Sequence, residues 1–179
     1  MGQYFKAVIK EKRHRVWKSF SPRTFNSWRK FFEHDYVTNN YVLYIKDLIY
    51  NVPTRVVWAG DYAENEVGKD ENLYNLAKEQ TINGSIENLI DYLRANQKVG
   101  AYRYLVNESK GIFLDYTKVR ENDYGYSLDP MPILCAEGCM EYDGNNCVLW
   151  GTWARDFIYT TDKKPENYKE IVPDFLNTY

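Results

Sequence analysis

The chain has 179 residues and a formal net charge of −2, with 44% hydrophobic and 27% charged residues. That length suits one domain, able to bury roughly 70% of its unfolded surface without disulfide staples, and no stretch approaches the ~20 apolar residues of a membrane helix. The overall acidity argues against a dedicated non-specific nucleic-acid binder, which needs a basic face to release counterions.

Gln3 to Lys10 is rich in β-formers and alternates loosely, which predicts a strand where a signal peptide would otherwise stand. His14 to Phe20 reads as a second strand, with "KEKRHR" as the turn between them. "FNSWRKFFEHDY" fits either a strand with alternate aromatics or a short helix, the strand being preferred. "NNYVLYIKDLIYNVP" predicts a helix: Asn39 or Asn40 caps it, Val42, Ile45, Leu48 and Ile49 share a face, and Pro53 stops it. Arg55–Ala63 follows as a strand, and "ENEVGKDE" as an acidic surface loop. Asn72–Gln80 and Ser85–Asn96 read as helices parted by Asn83-Gly84. "AYRYLVN" and "GIFLDYTKV" form a hairpin around "ESK", with Gly111 supplying a positive φ.

Asn122–Pro132 reads as a loop and Ile133–Glu137 as a strand. Cys147–Thr161 reads as one long strand in which Gly151 marks a bulge or a close backbone approach. The tail predicts a helical turn ended by Pro173. Strands with segregated helices make an α+β fold, one domain over residues 1–179: a mainly antiparallel twisted sheet with about three helices packed on it.

Charge and ring content are both uneven. Residues 1–30 carry nine Lys or Arg against Glu11 alone, a net +8, and the remainder nets −10. Either the basic segment packs beside the acidic remainder, or one end seeks a partner of opposite charge. Tyr, Phe and Trp make up 17% of the chain, which suits strands and also interfaces. Cys135, Cys139 and Cys147 are an odd number, pointing to a reducing compartment and a cytoplasmic location. Their spacing, C-x3-C-x7-C, lacks a nearby fourth ligand for zinc. No phosphate-binding loop, nucleophile elbow, zinc-protease helix or EF-hand is present, which does not exclude an enzyme; no metal or cofactor is expected.

The residues best suited to chemistry are His34, flanked by Glu33 and Asp35, together with Asp61 and Asp156. A histidine between carboxylates titrates near neutrality and suits a general base or metal ligand. Asp61 and Asp156 end two strand-like segments, and carboxylates sharing a cleft would raise each other's pKa. The competing reading is that each Asp caps a turn and that Asp156 pairs with Arg155. Trp58, Trp150 and Trp153 form either an aromatic platform, if Gly151 bulges, or parts of the core. Tyr62 and Arg155 complete the candidate binding set, Arg155 as a phosphate partner.

"GQYFKAVI", "EHDY…NNYV", "VVWAGDYA", "YLVNESKGIFLDYTKV" and "DPMPILCAEG…WGTWARDFI" occur in this order. Together they resemble a family of small proteins of phages and bacterial mobile elements, over most of the chain. The resemblance implies a phage context and no particular activity. Its members tend to carry a glycine-rich stretch with an arginine before the last strand, where this chain reads "CMEYDGNN".

The expected function is inhibition of a host defence component by binding, most concretely as an anti-CRISPR protein whose acidic surface occupies the nucleic-acid groove of an effector nuclease. The alternative is a nucleotide-binding protein or hydrolase with a His34–Asp61–Asp156 cleft. A homo-oligomer built on strand edges is a third possibility, and no membrane partner is expected.

Overall fold

The computed structural model describes residues 3–27, 30, 37–120, 128–138 and 149–172. Among them nine strands form one sheet: β1 (Phe5–Glu11), β2 (Lys18–Ser19), β3 (Thr54–Gly60), β4 (Lys78–Glu79), β5 (Tyr104–Asn107), β6 (Ile112–Asp115), β7 (Ala136–Glu137), β8 (Phe157–Thr161) and β9 (Lys169–Glu170). The helices are α1 (Asn40–Leu48), α2 (Leu73–Leu76), α3 (Ile86–Lys98) and α4 (Pro130–Leu134), with 3-10 turns at Pro22–Phe25 and Tyr116–Lys118. The sheet order is β4-β2-β1-β3-β8-β5-β6-β9, and β7 also pairs with β3. Pairing is mostly antiparallel, so the fold is α+β.

β1 and β3 pair along their whole length, from Phe5↔Gly60 to Glu11↔Thr54. Alternation then sends Phe5, Ala7, Ile9, Val56 and Trp58 into the main core and Val8, Val57 and Ala59 into a smaller cluster on the other face with Leu73 and Ala77. The large cluster is closed by Tyr41, Val42 and Ile45 of α1, Leu93 of α3 and Met131 of α4. Trp58 is fully buried, its ring centroid 5.7 Å from that of Tyr41. Tyr41 in turn ties the helix layer to the sheet: its hydroxyl accepts from the Ala7 amide at 2.7 Å and donates to the Phe20 carbonyl at 2.9 Å.

Local chemistry explains the helix starts. The Asn39 side chain accepts from the Tyr41 and Val42 amides, and the Ser85 hydroxyl from the Asn88 amide, satisfying donors that a first turn leaves open. Gly111 takes φ +64° in the β5–β6 hairpin, a region that side-chain-bearing residues avoid.

Several segments depart from the sequence reading. Ile133 and Leu134 lie in α4 instead of a strand, because Asp129 caps the segment and Pro130 opens it with a preset φ. Residues 149–156 are consecutive turns, so β8 begins only at Phe157. Helix α2 is a single turn and gives way to β4, which pairs with β2. Of His14–Phe20 only Lys18–Ser19 is strand, and the tail supplies β9 where a helical turn was expected. Most of "FNSWRKFFEHDY", and Pro173, lie outside the described residues. No described helix is long and apolar enough to cross a membrane.

A buried ion pair locks the helix layer. Lys46 of α1 pairs with Asp129, and both side chains are almost wholly removed from solvent. Asp129 Oδ1 also accepts from the Tyr116 hydroxyl at 2.9 Å and the Met131 amide at 3.0 Å, while Lys46 Nζ sits 3.7 Å from the Tyr116 ring centroid. Burial pulls the Lys46 ammonium pKa down, opposed by Asp129, and pushes the Tyr116 hydroxyl well up. Removing one partner strands a buried charge, whereas removing both need not. Asp129→Ala should therefore cost about 3–5 kcal/mol in urea unfolding, and Lys46→Met with Asp129→Leu should recover most of that loss.

Candidate functional site

The sheet forks at the middle of β3. β8 pairs with its first residues, Thr54↔Ile158 and Arg55↔Phe157, and β7 with its last, Trp58↔Ala136 and Ala59↔Glu137. The Leu149–Asp156 turns fill the gap. The Gly151 amide donates to Ile133 O at 3.0 Å, Trp153 to Leu134 O at 2.7 Å and Arg155 to Val56 O at 3.1 Å. Gly151 adopts φ +68°, and a Cβ there would stand 2.6 Å from the Ala136 carbonyl oxygen. No other residue fits this turn without displacing β7, so the glycine marks a close backbone approach as the sequence suggested.

Arg155 also lies in the left-handed region, at φ +68°, which is uncommon for a residue with a side chain. This conformation aims its guanidinium at two acids remote in sequence. Nε and Nη2 donate to Glu137, and Nη1 and Nη2 to Glu66, with Nη1–Oε2 at 3.1 Å and Nη2–Glu137 Oε2 at 2.8 Å. Hydrogen bonding by Arg155 holds the Glu66 carboxyl below its ordinary value of 4.5, and the two glutamates raise the Arg155 pKa. Beside this clasp opens a groove of about 520 Å³, lined by the 63–67 loop, Ala136–Gly138, Trp150, Gly151 and Arg155. Among the described lining residues Glu64, Glu66 and Glu137 outnumber the one arginine, so this lining is acidic. Val67 is fully exposed and neighbouring Tyr62 is about half exposed.

The residues singled out from sequence divide between several places. Glu33, His34 and Asp35 lie outside the described residues. Asp61 closes the end of β3: its Oδ1 accepts from the Tyr4 amide at 3.0 Å, its own amide donates to Tyr4 O, and its carbonyl accepts from Asn72 Nδ2. Asp156 accepts from Asn107 Nδ2 at 2.7 Å and from Lys110 Nζ, so its partner is Lys110 and not Arg155. By the register Asp156 stands beside Val56, five residues before Asp61 on β3, or roughly 16 Å along an extended strand. The two carboxylates thus serve separate networks, held apart by the length of β3.

The tryptophans do not form a common platform. Trp58 and Trp153 belong to the core, while Trp150 is partly buried, edge-on to Phe5 at 6.0 Å, and lines the groove. Sequence reasoning missed Glu66 and Glu137. The only available signal was the acidic loop "ENEVGKDE", since nothing local links Arg155 to acids 89 and 18 positions away.

No family model matches the chain, and no curated protein or solved structure does so either.

Arg155→Met keeps the backbone demand and removes the clasp. It should lower stability at neutral pH by on the order of 1 kcal/mol, the scale of exposed ion pairs. Glu66 contributes stability that is complete above its unfolded pKa and is lost as pH falls through its depressed folded value. The gap between parent and variant should therefore narrow below pH 4.5, as read by urea titrations along an acid series.

Proposed function

We propose that the protein is a phage or mobile-element accessory protein that acts by binding, its acidic groove receiving a basic segment of a host defence protein. The observation carrying this reading is the groove's electrostatics. Four hydrogen bonds to Glu66 and Glu137 already engage the Arg155 guanidinium. Among its described lining residues the site therefore carries surplus negative charge and no cation besides Arg155. Exposed Tyr62 and Val67 on the same loop supply apolar contact beside the charge, the combination of anchor and complementary rim that protein interfaces use. The resemblance to phage proteins gives the reading its context. Its most concrete form is an anti-CRISPR protein, competing with nucleic acid for the basic groove of an effector nuclease. The nucleotide-binding or hydrolase alternative draws no support from Arg155, which is engaged, nor from Asp61 and Asp156, which serve separate networks.

The test is retention of guide-free CRISPR effector nucleases from a panel on immobilised protein. One of them should bind at low salt, release at high salt, and lose nucleic-acid binding when the protein is present. Glu64→Lys combined with Val67→Arg, both exposed positions, should weaken that binding roughly tenfold or more through like-charge repulsion, with an unchanged melting temperature. Retention of no effector at low salt, or retention indifferent to the double variant, would overturn the reading.

A further inference from the structure

The face of the sheet turned away from α1 and α3 carries a different chemistry. Of seven cation–ring contacts among the described residues, all but that of Lys46 with Tyr116 lie on strand residues or loops of this face. Arg103 and Lys164 are held by Asp115 and Glu170. By contrast, no carboxylate among the described residues lies within ion-pair distance of Lys10, Lys12 or Arg55. Lys10 Nζ lies 4.9 Å from the Trp17 ring centroid, and Lys12 Nζ and the Arg55 guanidinium carbon lie 5.5 and 4.7 Å from that of Phe157.

The register explains why these groups meet. Lys10 pairs with Arg55 and Arg55 with Phe157, and continuing the β1–β2 pairing places Trp17 opposite Lys10. Four positions therefore form one row across neighbouring strands, in the order Trp17, Lys10, Arg55, Phe157, spanning about 14 Å at ~4.8 Å per strand. The row has a ring at each end and two cations between, with Lys12 above Phe157. Trp17 and Phe157 are both partly exposed. Helix α2 covers the Val8–Val57–Ala59 corner of this face, against which Trp17 packs, and Tyr104, Val106 and Phe113 form a separate buried cluster on it.

We propose that this row binds single-stranded nucleic acid, Trp17 and Phe157 each stacking one base and Lys10, Arg55 and Lys12 contacting the phosphates between them. Unpaired bases offer π-faces that aromatic side chains take without sequence preference, while cations track the backbone; a duplex keeps those faces stacked inside. The cations now resting on the rings shift to phosphate as bases replace them. A net charge of −2 does not exclude this site, because its three cations stand close together with no carboxylate at ion-pair distance among the described residues.

The experiment is fluorescence anisotropy of a labelled oligo(dT) probe with the full chain, titrated against salt. Binding at low salt should fall with a log–log slope near 2, as about 0.7 per phosphate contact implies for three contacts. Lys10→Ala with Arg55→Ala should cut that slope by about 1.4. Trp17→Ala and Phe157→Ala should each weaken binding roughly tenfold, with Trp17→Phe retaining it should the alanine variants fold poorly. A duplex of equal length should bind more weakly, an oligo(U) probe about as well, and Glu64→Lys should leave affinity no lower, which separates this site from the acidic groove. Absence of binding at low salt, or affinity indifferent to both ring substitutions, overturns the proposal. So does a low-salt dimer that Arg55→Glu dissolves and the oligonucleotide does not compete, since a second copy would then occupy the row.

Discussion

The seven-residue pairing of β1 with β3 is the constraint on which the rest of the molecule depends. A strand's side chains alternate between faces, so a slip of one residue would send Phe5, Ala7 and Ile9 to solvent and Lys6 and Lys10 into the core. Burial of Trp58, Val56 and Ile9 beneath the helices makes the observed register strongly preferred. Everything that could act as a site takes its position from it. The cation–ring row exists because Lys10, Arg55 and Phe157 stand abreast, and the groove exists because β3 outruns β8.

That overrun creates the fork, and the fork explains an unusual concentration of backbone demands. β7 covers what β8 leaves open, and residues 149–156 pass through a narrow space beside it. Gly151 is needed because the chain passes against the Ala136 carbonyl, and Arg155 adopts a left-handed conformation before β8 begins. The energetic offset for Arg155 is the double carboxylate clasp with Glu66 and Glu137, which also pins the acidic 61–67 loop against the end of β7. Strained backbone of this kind costs about 1–3 kcal/mol and persists only where the surroundings over-determine it.

The tertiary structure gathers three acids around the groove and sets Lys10, Lys12 and Arg55 close together on one sheet face, with Lys10 still near enough to act on Glu66. The basic N-terminal thirty residues contribute β1 and the turn after it, and alternation places Lys6 and Lys10 of β1 on the face turned away from α1 and α3. The acids of the 61–71 loop gather beyond the far end of β3. The buried Lys46–Asp129 pair belongs to neither surface. It fastens α1 to α4 beneath the sheet, with Tyr116 satisfying the remaining carboxylate oxygen, and so holds the layer against which the register of β1 and β3 is set.

Features with a local cause were legible in the sequence alone. Asn39 and Ser85 mark helix starts because a side-chain oxygen beside free amides suffices; Gly111 marks a hairpin, and the α+β class follows from strands mixed with separate helices. The acidic loop was also visible as composition. Features that depend on distant partners were not. "VLWGTWARDFI" reads as a strand because its residues favour one, yet the 149–156 amides find the Ile133, Leu134 and Val56 carbonyls and the segment runs as turns. Arg155 stands beside Asp156 in sequence but reaches Glu66 and Glu137, while Asp156 reaches Lys110. Asp61 and Asp156 look like a pair on paper and are held apart by the length of β3. Which aromatic is core and which is surface, and which lysine lacks a carboxylate partner, was decided only when long-range pairing fixed the neighbours of each side chain.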